Sequence, residues 1–298
     1  MIQKQSNTLN AFIKNIIDYA GLFPPAKLPL NIAFENYKNY KTSVNNTFLS
    51  RFICPAGKLP ELENILKDKS EIYTDISISV LSSSGDNLEK FTENFKEDLK
   101  TWKDFHNNFK DFVKTNSLEV RIPDDIIISH DHEKLSEILN YISGEIFNTL
   151  GQNVFIFCEC LISKDWNEDF KFLINGISDH NLTENNSGFK LRTGGVTANA
   201  FPDSEIIAFA IKENLDRAVP MKCTAGLHHP FRHFDNEIGT MMHGFVNVFG
   251  AGIIAMRHNI SHSELLKILN DENPENFIFT DEYFSWKDWK INIDEINL

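Results

Sequence analysis

Six ionisable side chains stand inside short apolar runs of this 298-residue chain: Glu119 and Arg121 in SLEVRIP, Glu159 in VFIFCECL, Lys190 and Arg192 in GFKLRTGG, and Lys222 in VPMKCTAG. A charge taken out of water must be paired or met by a ligand of opposite sign. The residue types make up a chemical kit. A lysine amine attacks carbonyl carbon, a carboxylate moves protons, and an arginine grips an oxyanion with two parallel donors. Four cations face two carboxylates, and Arg51 in FLSRFICP is a further candidate cation. The surplus predicts a small anionic ligand carrying phosphate or carboxylate, held by Arg121 and Arg192. The alternative is internal pairing, Glu119 with Arg121 and Glu159 with Lys190.

Those runs must be strands. Candidates are 20–23, 48–55, 75–82, 117–123, 154–161, 188–194, 220–226 and 277–284, eight in all. Between them lie patterns with apolar residues three and four apart, such as PLNIAFENYKNY, LPELENILKD, NLEKFTENFKEDLKTWKDF, HEKLSEILNYISGEIF, DSEIIAFAIKENL and SHSELLKIL, which read as helices. Strands alternating with helices predict a parallel sheet, and eight repeats predict one (β/α)8 barrel domain over 1–298. An extended loop and helix region is expected at about 228–260, with His243 on the helix. A doubly wound open sheet is the rival, but Gly21-Leu22-Phe23-Pro24-Pro25 is not a nucleotide-binding turn.

Alternation along each strand sorts the faces. Asp75, Ser77 and Ser79 share one face, as do Glu119 and Arg121, then Phe155, Phe157 and Glu159, then Lys190 and Arg192, then Lys222 and Thr224. Apolar residues occupy the opposite positions, so the charged faces turn inward.

The net charge of −13 leaves no broad attraction for nucleic acid or anionic lipid. No run reaches the roughly 18 apolar residues of a membrane span. The N-terminal segment lacks the pattern of a signal peptide, and Cys54, Cys158, Cys160 and Cys223 form no CxxC pair. Reduced thiols in a cytoplasmic protein are expected. A homodimer is expected on general grounds only.

FKLRTGG followed by MKCTAGL resembles the sixth and seventh strands of class I aldolase barrels of the deoxyribose-phosphate aldolase type, with Lys190 and Lys222 32 positions apart. The resemblance implies that Lys190 forms a Schiff base, that Lys222 lowers its pKa, and that Glu159, with Glu119 as the strand-four group, moves protons. It covers about forty residues. Arg192 stands where that family has a small hydroxyl residue, and AGLHHPFRH replaces its Gly-rich phosphate turn. DYAGLFPPA and AGLHHPFRH also look like signatures of a bacterial family to which no activity attaches.

Other groups complete the candidates. Thr193, Gly194 and Gly195 after strand six could bring backbone N–H groups to a phosphate, with Thr224, His228 and His229 lining the site. Tyr19, Phe23 and Pro24-Pro25 could form a rigid wall of the same pocket. His228, His229 and His233, with Glu159 or Asp235, could instead hold a divalent metal. Three functions follow: an aldolase-like lyase using a lysine Schiff base and no cofactor, a metal-dependent hydrolase or isomerase, or a non-catalytic binder of an anionic metabolite.

Overall fold

In the computed structural model, residues 6–43, 46–67, 76–184 and 186–296 are described. Seven strands form one parallel sheet in chain order: β1 (Ile17–Tyr19), β2 (Leu49–Pro55), β3 (Ile76–Leu81), β4 (Val113–Arg121), β5 (Phe155–Glu159), β6 (Ser187–Arg192) and β7 (Met221–Thr224). The sheet is an open half-barrel with β1 and β7 at its edges, not a closed barrel of eight strands.

The expected eighth strand, 277–284, is two strands instead. β10 (Phe277–Phe279) and β11 (Tyr283–Trp286) pair antiparallel, and β12 (Trp289–Asn292) extends them into a separate three-stranded sheet. The cause is the Thr280-Asp281-Glu282 turn. The Thr280 hydroxyl accepts the N–H groups of Glu282 and Tyr283 and reverses the chain. The first strand also differs. It is Ile17–Tyr19, and the apolar AGLF stretch after it is turn. Asp75 of the expected third strand lies outside the described residues.

The region after β7 contains a hairpin, β8 (His233–Asp235) with β9 (Thr240–Met242), and then a helix, Phe245–His258. His243 precedes that helix rather than riding on it, because Gly244 is its N-cap.

The contacts group into two compact units. One comprises Asp18–Leu191 and Arg217–Lys222. It holds β2 to β5 and most of the helices that cover them. Its longest helix, Leu88–Phe109, starts at the Asn87 cap and buries Phe91, Phe95, Leu99, Trp102 and Phe105, spaced to form one apolar stripe. Asp98 lies on that stripe because its carboxylate accepts from Ser82 Oγ, Ser83 Oγ and Ser83 N–H at the end of β3. His132–Leu150 begins at the Asp131 cap and stops at Gly151, whose φ of 69° suits a left-handed C-terminal residue. Trp166–Asn181, a helix the sequence patterns above omit, buries Phe170, Leu173, Ile174 and Ile177.

The other unit comprises Met1–Ile17, Arg192–Asp216 and Cys223–Leu298. Helices Ser204–Asp216, Phe245–His258 and His262–Leu269 pack together there. Its buried polar centre is a network. His243 donates Nε2–H to the Pro202 carbonyl at 2.7 Å and accepts from the Arg232 guanidinium at 3.2 Å. No helix among the described residues is long and apolar enough to cross a membrane.

Candidate active site

The concave face of the sheet is layered by register. Glu119 lies level with Leu81 and Phe157, and Phe157 with Gly188. One rung further towards the strand ends, Arg121, Glu159 and Lys190 stand level on three adjacent strands. Gly188 makes the lower rung possible. A Cβ there would sit 2.7 Å from the Pro220 carbonyl oxygen and 3.1 Å from the Phe157 ring. The space it leaves is taken by Phe157, over whose ring the Lys222 ammonium lies at 5.3 Å.

On this face the charges form a chain of alternating sign. Asp18 Oδ2 meets Lys222 Nζ at 2.5 Å, and Lys222 donates to Glu119 Oε1 at 2.7 Å. Glu119 Oε2 holds Lys190 Nζ at 3.0 Å, and Lys190 reaches Glu159 Oε2 at 2.7 Å. Glu119 therefore divides its two oxygens between the two lysines. Its side chain is only 3% exposed, and Ser79 Oγ donates to its Oε1 at 3.1 Å. Asp18 is braced in turn by the Arg51 N–H, which donates to Oδ1 at 2.8 Å.

The sequence-level charge count is overturned here. Asp18, placed by the shifted β1, adds a third carboxylate, and neither Arg121 nor Arg192 joins the chain. Two ammonium groups face three carboxylates, so the buried cluster is acidic rather than basic. Arg121 turns to Asp124 at 3.3 Å and Asp86 at 3.4 Å, not to Glu119. The Glu159–Lys190 pair expected from alternation is present. Asp18 carried a sequence signal, an acid between the β-formers Ile17 and Tyr19, but the apolar AGLF run next to it displaced the strand.

Electrostatics set the protonation states. Burial alone would pull the Lys190 pKa down, but Glu119 and Glu159 outweigh it and hold the amine above its ordinary value. Burial would push the Glu119 carboxyl up, but Lys190 and Lys222 outweigh it and hold the carboxyl below its usual range. Lys190 thus rests as an ammonium. The carboxylates set the direction at Lys190, and Glu119 stands between the two cations. The four cysteines are free thiols, and burial raises those of Cys54, Cys158 and Cys223 to about 12.

The candidates from Arg192 onward, Lys222 apart, belong to the other unit. Thr193 is fully buried, and its hydroxyl donates to the Ala225 carbonyl at 2.6 Å and the Thr224 carbonyl at 3.2 Å. Gly194 and Gly226 touch: a Cβ on Gly194 would come 2.7 Å from Gly226 Cα and 2.7 Å from the Phe201 ring. The TGG and AG sequences here serve a close approach of two backbones. A Cβ on Gly195 would meet Ala200 at 2.6 Å. Arg192 is exposed, with Nε on the Gly194 carbonyl at 3.2 Å. His228 and His229 are exposed, and His229 packs edge-on against His233, whose Nδ1 donates to the Phe231 carbonyl at 3.1 Å. Among the described residues no three His, Cys, Asp or Glu side chains are grouped to hold a metal ion. Tyr19, expected in a pocket wall, stacks on Phe52.

No protein-family model matches the chain, and no curated protein sequence matches it.

Proposed function

We propose that the chain is a lyase of the aldolase type that activates a small carbonyl compound as an iminium on Lys190. One observation carries the reading: the Lys190 ammonium is held by two carboxylates at 2.7 and 3.0 Å, one of which is shared with Lys222. The resemblance of the two lysine strands to Schiff-base aldolases supports it, over about forty residues.

The protonated resting state sets the first step, a proton transfer that costs free energy because the two carboxylates hold the amine above its ordinary value. Lys190 gives a proton to Glu159, and the free amine adds to the carbonyl carbon. The carboxylic acid then returns its proton to the carbinolamine hydroxyl, water leaves, and the iminium keeps the single positive charge of the original ammonium. The charge between Glu119 and Glu159 is the same before and after, so the surrounding carboxylates stabilise product and reactant alike. Lys222, held by Asp18 and Glu119, keeps Glu119 ionised and fixed beneath the reacting nitrogen.

The test is borohydride trapping with short aldehydes, hydroxyketones and 2-oxo acids, read by intact mass and peptide mapping. A substrate-dependent adduct on Lys190 is expected. An adduct on Lys222 alone would exchange the two roles, and no adduct on either lysine would sink the mechanism.

A second reading is a non-catalytic site in which the charge chain only binds a metabolite. The full pairing of both lysines favours it. That reading expects ligand affinity to survive Lys190→Met, whereas iminium chemistry expects the adduct to vanish.

A further inference from the structure

Arg121 is the exception among the inward charges. It stands level with Glu159 and Lys190 at the end of β4, yet among the described residues its guanidinium is bound through one nitrogen only. Nη2 donates to Asp124 at 3.3 Å and to Asp86 at 3.4 Å, both long contacts. Among the described residues Nε is buried with no hydrogen-bond partner. A guanidinium offers five donors in a fixed fork suited to two-pronged contact with an oxyanion. A buried N–H without an acceptor is a standing cost to the fold.

One of the two partners is easily released, while Asp124, 30% exposed, stays beside the guanidinium. Asp86 is 97% exposed, so its pairing with Arg121 competes with water and adds little. The interior chain, with three carboxylates against two ammoniums, repels an anion. The end of β4 is where a cation of this face stands apart from that chain.

We infer that Arg121 is an oxyanion subsite at the rim of the lysine site, latched by Asp86 until a carboxylate or phosphate displaces it. Register sets the length of the ligand. Arg121 and Lys190 are separated by the one strand that carries Glu159, so their Cα atoms are about 10 Å apart. Resting on the iminium reading, the substrate class is then a short-chain carbonyl compound with a terminal oxyanion, its carbonyl at Lys190 and its anion at Arg121.

The test uses the full chain and two probes, inorganic phosphate and propionate, titrated by calorimetry at constant ionic strength. One of them is expected to bind the unaltered protein, and which one does distinguishes phosphate from carboxylate recognition. Arg121→Gln is expected to weaken binding at least tenfold, with Arg121→Lys intermediate because it keeps the charge without the fork. Asp86→Asn removes the competitor from a fully solvated position and is expected to tighten binding severalfold. Binding of neither probe, unchanged affinity in Arg121→Gln, or weaker binding in Asp86→Asn would each overturn the subsite. Borohydride trapping with an uncharged aldehyde reads the lysine chemistry separately, so either inference can fail while the other stands.

Discussion

Asp18 and Lys222, 204 residues apart in sequence, are bound as an ion pair at 2.5 Å. They come from the two edge strands of the sheet. The pair therefore joins the ends of the strand order and anchors one terminus of the charge chain in a single contact.

Replacing Asp18 by Asn tests that role. The amide still accepts a hydrogen bond, but it no longer balances the Lys222 ammonium. Trading the charged acceptor for a neutral one weakens that bond and predicts a cost of about 1 to 2 kcal/mol in urea unfolding. An unchanged midpoint would mean that Glu119 alone satisfies Lys222.

Glu119 is the centre of the chain, and Glu119→Gln removes the carboxylate from between two ammoniums. Leaving buried cations short of a partner predicts a loss of about 3 to 5 kcal/mol at neutral pH. The pH dependence has two limbs. The Glu119 carboxyl is depressed in the fold, so its contribution is present above the ordinary value of 4.5 and disappears as pH falls through its lower folded value. The Lys190 amine is raised, so its contribution is present below the ordinary value of 10.5 and disappears as pH rises through its higher folded value. Urea midpoints measured across pH should show the acid limb flattened in Glu119→Gln. An identical acid limb in both proteins would contradict the assignment.

Gly194→Ala tests the backbone contact after β6. A methyl group would be driven to 2.7 Å from Gly226 Cα and from the Phe201 ring. Overpacking of this kind predicts about 1 to 3 kcal/mol of destabilisation by thermal or urea unfolding. If Gly194 also served an anion, the same variant would lower phosphate affinity as well.

Six of the eight expected strands were legible because alternation between polar and apolar positions survives wherever one face is buried. Ser79, Glu119, Glu159, Lys190 and Lys222 all lie on the face that alternation assigned them. What failed were the short ends. Three residues, Ile17–Tyr19, carry too little pattern to compete with a neighbouring apolar run, and Asp18 was lost with them. The 277–284 run looked continuous because a turn made by a threonine hydroxyl leaves no glycine or proline mark. The charge balance was misread for a related reason. The partners of Arg121, Asp86 and Asp124, lie outside the strands, where alternation says nothing.

β1 has three residues and β7 has four. At the two ends of the strand order, each leaves one row of backbone groups without a neighbour in the sheet. Rows that short offer an incoming strand very few hydrogen bonds, which is how natural sheets escape edge-to-edge aggregation. Leaving the sheet open thus carries a smaller risk of self-association than seven strands would suggest. Any insertion that lengthened β1 or β7 would restore that risk.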